Sequence, residues 1–149
     1  MALSKPLTVN KELTVDLDAY TAGDVVGGLL TFPVPAAIGG GILNSVMLID
    51  EDSEAEAYSL YLFDDIPSTI ADDAAFAPTI ADLRKLVAKI DILSYVTVNS
   101  IDYCYVPDIN QVFGQLQTGN LYGYLVAVAT PDYTNADALY LRLGILTEG

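Results

Sequence analysis

The sequence predicts an all-β protein, a β-sandwich of about eight or nine strands with one short helix near residues 80–88. Two observations favour this class. Short apolar segments, several of them alternating apolar and polar residues, recur along the chain between fairly evenly spaced turn residues. Only one segment carries the signals of a helix. The 149 residues, 52% of them hydrophobic, suit one domain with a sizeable core. Eight strands in two sheets would form a jelly roll, which is the preferred topology.

Four strand-like segments lie in the first half of the chain. Each is apolar or alternates, and each is bounded by turn-forming or acidic residues. Gly27 and Gly28 interrupt the second segment and predict a bulge or close backbone packing. The third and fourth segments are expected to pair as a hairpin across the acidic residues 50–56. The four segments are residues 13–18, 25–32, 42–49 and 58–63.

The single helix is predicted over about two turns. Thr79 is a suitable N-cap with Asp82 three residues later, and Leu83 and Leu86 share a helical face. Strand-like segments resume after it and continue to the end of the chain. They are residues 90–98, 101–106, 112–113, 121–128 and 139–146.

Charge and composition exclude several functional classes. The chain has 20 acidic and 6 basic residues, a net charge of −14, so neither a nucleic-acid-binding face nor adhesion to an anionic membrane is expected. It contains no His, which excludes His-based catalysis and His metal sites. The single Cys104 cannot form an intrachain disulfide, and its alternating surroundings predict a small buried core residue.

Ten acidic residues and no basic one lie between residues 50 and 82. Three interpretations are open: a solvated surface that keeps the protein soluble, a calcium site, or a docking face for a basic partner. The run Asp50, Glu51, Asp52 lacks the central Gly of an EF-hand loop. No spacing singles out two carboxylates for glycoside hydrolysis. The sequence therefore indicates no catalytic residue, no defined metal ligands and no cofactor.

Candidate interface residues lie in two places. The chain has ten Tyr and no Trp, and the tyrosines of the segment 121–128 would serve the core, an interface or a sugar-binding platform. Residues 1–12 would form an N-terminal arm that reaches a neighbour, or a first strand, ahead of a single domain over residues 13–149. The candidates are Leu3, Lys5, Leu7, Lys11, Tyr122 and Tyr124.

The apolar content of two strands exceeds what one sandwich needs. Residues 27–30 and 143–146 are apolar on both strand faces. Such strands are buried on both sides, so some faces are expected to be covered by another subunit in a dimer or trimer.

Three blocks of the sequence resemble a family of small structural proteins of tailed bacteriophages. The first block is the most specific, and the other two are softer patterns of strand and turn. Together they extend over nearly the whole chain. The blocks are residues 13–32 (LTVDLDAYTAGDVVGGLLTF), residues 61–64 with 72–78, and residues 121–123 with 130–133 and 141–146.

This resemblance implies a capsid decoration or cement protein with a jelly-roll-like fold, made in the host cytoplasm and placed on the capsid exterior. Its partners would be the major capsid protein and further copies of itself. It would use no enzyme chemistry, and would act through many weak contacts across neighbouring capsid subunits, multiplied by symmetry. The alternative is a carbohydrate- or receptor-binding β-sandwich module of a head fibre or tail component.

Overall fold

The computed structural model describes residues 4–148, which form two antiparallel sheets packed face to face. This part of the chain contains ten strands, one α-helix, α1 (Ile80–Leu83), and a 3₁₀ turn at Pro35–Ala37. The all-β prediction is therefore confirmed. The strands are β1 (Ser4–Glu12), β2 (Val25–Pro33), β3 (Gly41–Asp50), β4 (Tyr58–Phe63), β5 (Leu86–Ile92), β6 (Val96–Val98), β7 (Ile101–Val106), β8 (Gln111–Phe113), β9 (Asn120–Ala127) and β10 (Leu139–Glu148).

The strand order is that of a jelly roll. The six-stranded sheet has the order β1-β10-β3-β7-β6, with β8 paired to the first residues of β3. The four-stranded sheet has the order β2-β9-β4-β5. β1 and β2, β3 and β4, and β9 and β10 are consecutive in the chain but lie in different sheets. The chain therefore crosses the sandwich repeatedly, as two Greek keys do, and the preferred topology is confirmed.

The main core lies between the two sheets. On β3, Val46 and Leu48 are fully buried, while Met47 and Ile49 are partly exposed on the other face of the sheet. Each fully buried aliphatic side chain contributes roughly 1.5–3 kcal/mol relative to an exposed one. Cys104 is a buried residue with a free thiol, as its alternating surroundings predict.

Gly27 and Gly28 form the predicted bulge in β2. Both have positive φ, +87° and +70°, and the pairing register with β9 shifts at this point. The turned backbone lets the Gly27 N–H donate to Asp72 Oδ1 at 2.7 Å, and the same oxygen accepts from the Tyr20 hydroxyl at 2.7 Å. The bulge thus fixes the long connection between β4 and β5 to the edge of the four-stranded sheet.

Residues 13–18 do not form a strand, so that prediction is wrong. The alternation correctly marks Leu13 and Val15 as buried. The Leu13 N–H donates to the Leu139 carbonyl at 3.0 Å, and the Val15 N–H donates to the Ala136 carbonyl at 2.9 Å. The second acceptor lies in the loop before β10, where no continuous strand is available for a ladder.

The predicted hairpin between the third and fourth segments is also wrong, because β3 and β4 belong to different sheets. A hairpin needs a turn that returns the second strand along the first. The loop 51–57 instead crosses the sandwich. Asp50 accepts the backbone N–H groups of Asp52, Glu54 and Ala55 at 2.9, 3.1 and 3.2 Å, which holds this loop in a compact turn.

The helix is shorter than the predicted residues 80–88. Thr79 and Asp82 form the expected reciprocal capping box, but α1 ends at Leu83 with Arg84 as its C-cap. The following residues form β5. A two-turn helix is marginal in water, whereas pairing with β4 supplies ladder hydrogen bonds and buries two isoleucines of the strand.

Candidate functional site

Four loops meet at one end of the sandwich and hold most of the acidic residues. Backbone hydrogen bonds join them, from Glu51 N–H to the Ala138 carbonyl at 2.8 Å and from Phe76 N–H to the Gly23 carbonyl at 2.9 Å. We call this end the acidic end, which comprises the loops 13–24, 51–57, 71–76 and 128–138.

The acidic end carries eleven carboxylates and no Lys or Arg. The predicted acidic run therefore splits. Residues 51–56 and 72–73 join the acidic end, whereas Asp64 and Asp65 follow β4 at the other end. The eleven are Asp16, Asp18, Asp24, Glu51, Asp52, Glu54, Glu56, Asp72, Asp73, Asp132 and Asp137.

Two of these carboxylates tie loops together. Asp52 Oδ2 accepts the backbone N–H groups of Thr134 at 2.7 Å and Asn135 at 3.0 Å. Glu54 Oε1 accepts the N–H of Asp132 at 2.7 Å. Part of the acidic run therefore stabilises the fold, a role that none of the three sequence interpretations included.

Asp50 lies fully buried beneath the acidic end. Burial raises the pKa of its carboxyl to about 6; the backbone N–H groups of the 52–55 turn oppose the shift and the nearby Asp102 carboxylate adds to it. Among residues 4–148, no three His, Cys, Asp or Glu side chains are placed to hold a metal ion. The calcium interpretation therefore has no ligand set in this part of the chain.

Within residues 4–148, the structure has no helix with the length and apolar character that spanning a membrane requires.

The outer face of the six-stranded sheet is apolar where β3, β7 and β6 lie side by side. Strand register places Tyr103 between Ile49 and Val96, and Tyr105 beside Met47. These side chains point away from the core, because the residues between them on β3 and β7 are the buried ones. We call this surface the apolar face; its residues are Met47, Ile49, Val96, Val98, Ile101, Tyr103 and Tyr105.

An open groove of about 400 Å³ lies on the apolar face and is lined by five of its residues, Met47, Ile49, Val98, Ile101 and Tyr103. Val98 is 56% exposed and, beside the groove, Tyr105 is 51% exposed. Sequence reasoning missed this surface because it depends on pairing between strands distant in the chain. The local signal is the alternation in β7, where every second residue is apolar or aromatic and outward-facing.

The outer face of the four-stranded sheet is covered by the chain itself. The β4–β5 connection, residues 64–85, places Ile70 and Phe76 against this face, where they form a second apolar cluster with residues of β2, β4 and β9. The Phe76 ring centroid lies 4.6 Å from that of Tyr61 and 5.7 Å from that of Tyr124. The two sheets therefore differ: one outer face is packed, and the other is open.

The predicted interface tyrosines lie beneath this connection. Tyr122 and Tyr124 are only 6% and 1% exposed. The Tyr124 hydroxyl donates to the Ser68 carbonyl at 2.6 Å, and the Tyr122 hydroxyl shares a hydrogen bond with Thr118 at 2.8 Å. In this conformation both rings contact the chain itself rather than a free surface.

The N-terminal candidates lie at the opposite side of the sandwich. Residues Ser4–Glu12 form β1, an edge strand paired with β10 along all nine residues. Lys5 is exposed, Lys11 is half-buried, and Leu7 packs against the main core. Leu3 lies outside the described residues. The structure thus leaves the N-terminal and tyrosine candidates in separate places.

Comparison with known proteins gives likeness at the level of fold only. No protein-family model matches the sequence, and no curated protein matches it significantly. Among solved structures, a chain of the native virion of Kashmir bee virus at acidic pH is 12% identical, with a TM-score of 0.31, covering 96% of this chain and 70% of that one.

Two further solved structures are similar to the same degree. A chain of the Israeli acute paralysis virus full particle, heated to 63 degrees, is 10% identical with a TM-score of 0.33, covering 97% of this chain and 71% of that one. A chain of a marine algae virus of the order Picornavirales is 13% identical with a TM-score of 0.29, covering 99% and 69%. None of the three is described as a tailed bacteriophage, and superposition this weak carries no information about function.

Proposed function

We propose that this chain is a non-enzymatic structural protein of a bacteriophage virion, which decorates the capsid exterior and stabilises it by bridging neighbouring capsid subunits. It is made in the host cytoplasm, binds the major capsid protein and self-associates as a dimer or trimer. The sequence resemblance to small tailed-phage structural proteins suggests this role, and a jelly-roll domain is compatible with it.

The observation that carries the proposal is the difference between the two sheet faces. The β4–β5 connection covers the outer face of the four-stranded sheet, whereas the outer face of the six-stranded sheet is apolar and open. An exposed apolar surface of this kind marks a site of interaction with another protein. A protein whose main surface feature is a large open sheet face suits a role made of contacts rather than of chemistry.

The charge distribution suits attachment to a particle exterior. Eleven carboxylates at one end give that end a strong negative potential, which would keep decorated particles apart if it pointed into solvent. Lys5 and Lys11 lie on β1, an edge strand whose other residues are uncharged except Glu12. We propose that this edge contacts the major capsid protein.

Binding to capsids assembled without this chain tests the proposal. Purified protein is added to such particles, and bound protein is measured by co-sedimentation and the particle disruption temperature by calorimetry. We expect saturable binding in a number comparable with that of the major capsid protein, and a higher disruption temperature. The double variant Lys5→Glu/Lys11→Glu should bind more weakly, while Arg84→Glu/Lys89→Glu, with the same charge change at exposed positions far from β1, should bind as the original does.

Absence of saturable binding would overturn the proposal. Binding of a few copies per particle, together with recognition of a glycan on an array, would favour the alternative of a receptor-binding module. Substitution is preferable to deletion of residues 1–11 here. That deletion would remove nearly all of β1 and expose the edge of β10.

A further inference from the structure

We propose that the apolar face is the surface on which a second copy of this chain docks, face to face, in a two-fold dimer with antiparallel strand directions. This inference rests on the self-association within the proposed function and assigns it a surface. In this dimer the Tyr105 ring of each copy enters the groove of the other. The groove and the ring lie next to each other on one face, which is the arrangement that a self-complementary contact requires.

The apolar face has the extent of an interface centre. Neighbouring strands are about 4.8 Å apart and residues advance about 3.3 Å along a strand, so the apolar face, across its three strands and along Ile101–Val106, measures roughly 15 Å in each direction. Standard interfaces bury about 800 Å² on each partner, with an apolar centre and a polar rim. Ile42 on β3 and Val112 on β8, 67% exposed, extend the apolar surface towards the other end of the sheet.

The rim of the apolar face is polar and uncharged on its β6 side. Thr97, Asn99 and Ser100 surround the end of β6, and all three are exposed. Residues 93–131 contain only two charged groups, Asp102, which is buried, and Asp108. A rim of this kind can form hydrogen bonds across an interface without bringing like charges together.

Charge points to a second copy as the occupant. The chain carries −14, and a basic partner would be drawn to the acidic end rather than to the apolar face, whose own residues are uncharged and which borders the cation Arg142 of β10. The occupant of the apolar face must itself present an apolar, nearly uncharged surface. The apolar face of a second copy is such a surface, and it lets copies with a net charge of −14 approach without bringing carboxylates into the centre of the contact.

The same charges set the orientation. In a parallel arrangement the two acidic ends would lie side by side, about 10 Å apart across the packed sheets. In the antiparallel arrangement they point in opposite directions, and because the centre of the apolar face lies about three residues from the end of β3, they are roughly 20 Å apart. The Debye length at physiological ionic strength is about 8 Å, so the repulsion is screened much more strongly in the antiparallel dimer.

The oligomeric state of the purified chain, without capsid, tests the inference. Sedimentation velocity over a concentration series gives the dissociation constant. We expect a dimer that Val98→Glu weakens by about 100-fold, because the two-fold axis buries the new carboxylate twice. Ile80→Glu is the matched control, since Ile80 is 73% exposed and lies on α1, away from the apolar face. It should leave the dissociation constant unchanged.

A second variant keeps the test decisive. If circular dichroism shows that Val98→Glu is unfolded, Tyr105→Glu replaces it, because a half-exposed side chain tolerates substitution in the monomer. A chain that is monomeric at every concentration, a trimer, or a dimer that withstands both variants would overturn the inference. The assay contains no capsid, so its failure is separate from failure of the capsid-binding experiment.

Discussion

Asp50 and Asp102 are directly opposite each other on β3 and β7, and both are buried, at 0% and 3% exposed. Each carboxylate has its own set of donors. Asp50 accepts three backbone N–H groups of the following turn, and Asp102 accepts the Thr97 hydroxyl of β6. The Asp102 carboxylate adds to the rise that burial causes in the pKa of Asp50.

We predict that stability falls as pH rises from about 4 to 6. The pKa of Asp50 is raised to about 6 in the folded protein, above its ordinary value of 3.8, so the folded state binds the extra proton. The contribution of Asp50 is therefore fully present below pH 4 and is lost as pH rises through 6. When the free energy of unfolding is measured with denaturant, Asp50→Asn should not show this loss of stability between about pH 4 and 6. Glu51→Gln, an exposed neighbour with the same loss of charge, should keep the original profile.

Asp82 should give the opposite dependence of stability on pH. It caps α1 by accepting the Thr79 N–H at 2.9 Å, and it also accepts the Ser68 N–H at 2.8 Å; these bonds lower its pKa to about 2. Its contribution is therefore present above pH 4 and lost as pH falls through 2. Asp82→Ala should lower the free energy of unfolding at neutral pH by about 1–2 kcal/mol. An unchanged midpoint in urea would contradict this role.

Gly27 should tolerate no side chain. Its φ of +87° disfavours any L-residue, and a Cβ there would lie 3.2 Å from Leu13 Cδ2. Gly27→Ala should destabilise the protein by about 1–3 kcal/mol, measured by thermal and urea unfolding. Gly39→Ala, at a position with open space and no positive φ, is the control and should be neutral or slightly stabilising. Equal effects of the two substitutions would show that the bulge is not required.

Salt should have only a modest effect on the proposed dimer. Because the antiparallel arrangement separates the acidic ends, raising the salt concentration from about 0.05 to 0.5 M should strengthen dimerisation by less than tenfold. The dissociation constant from sedimentation at each salt concentration checks this. A much steeper strengthening would indicate that the acidic ends lie together, as in the parallel arrangement.

The sequence predicts the fold class because its strongest signals are local. Alternation marks the buried residues of β10, and Gly27 with Gly28 marks the bulge. The errors occur where distant segments decide the outcome. Leu83 and Leu86 fit one helical face, yet pairing with β4 takes the second of them into a strand. Alternation in residues 13–18 reports burial correctly but cannot report whether a partner strand exists.

The candidate surfaces are harder to predict than the fold. The acidic end combines loops separated by more than a hundred residues, so only the 50–56 and 72–73 portions stand out as a run. The apolar surplus of the sequence predicts that another subunit covers some strand faces, which stays a prediction. Sequence alone assigns the surplus to residues 27–30 and 143–146. Leu29 in fact packs in the cluster beneath the chain's own connection, and Leu143 and Ile145 lie in the main core. Which face stays open depends on the path of residues 64–85, and that path depends on the fold.

The covering of the four-stranded sheet limits how far assembly through sheet faces can proceed. A sandwich that is adhesive on both faces adds copies at either side and grows into a stack without end. With Ile70 and Phe76 packed over one face, each copy in the proposed dimer would use its open sheet face for pairing and have no second open sheet face among the described residues. Residues 64–85 would therefore stop growth through sheet faces at two copies.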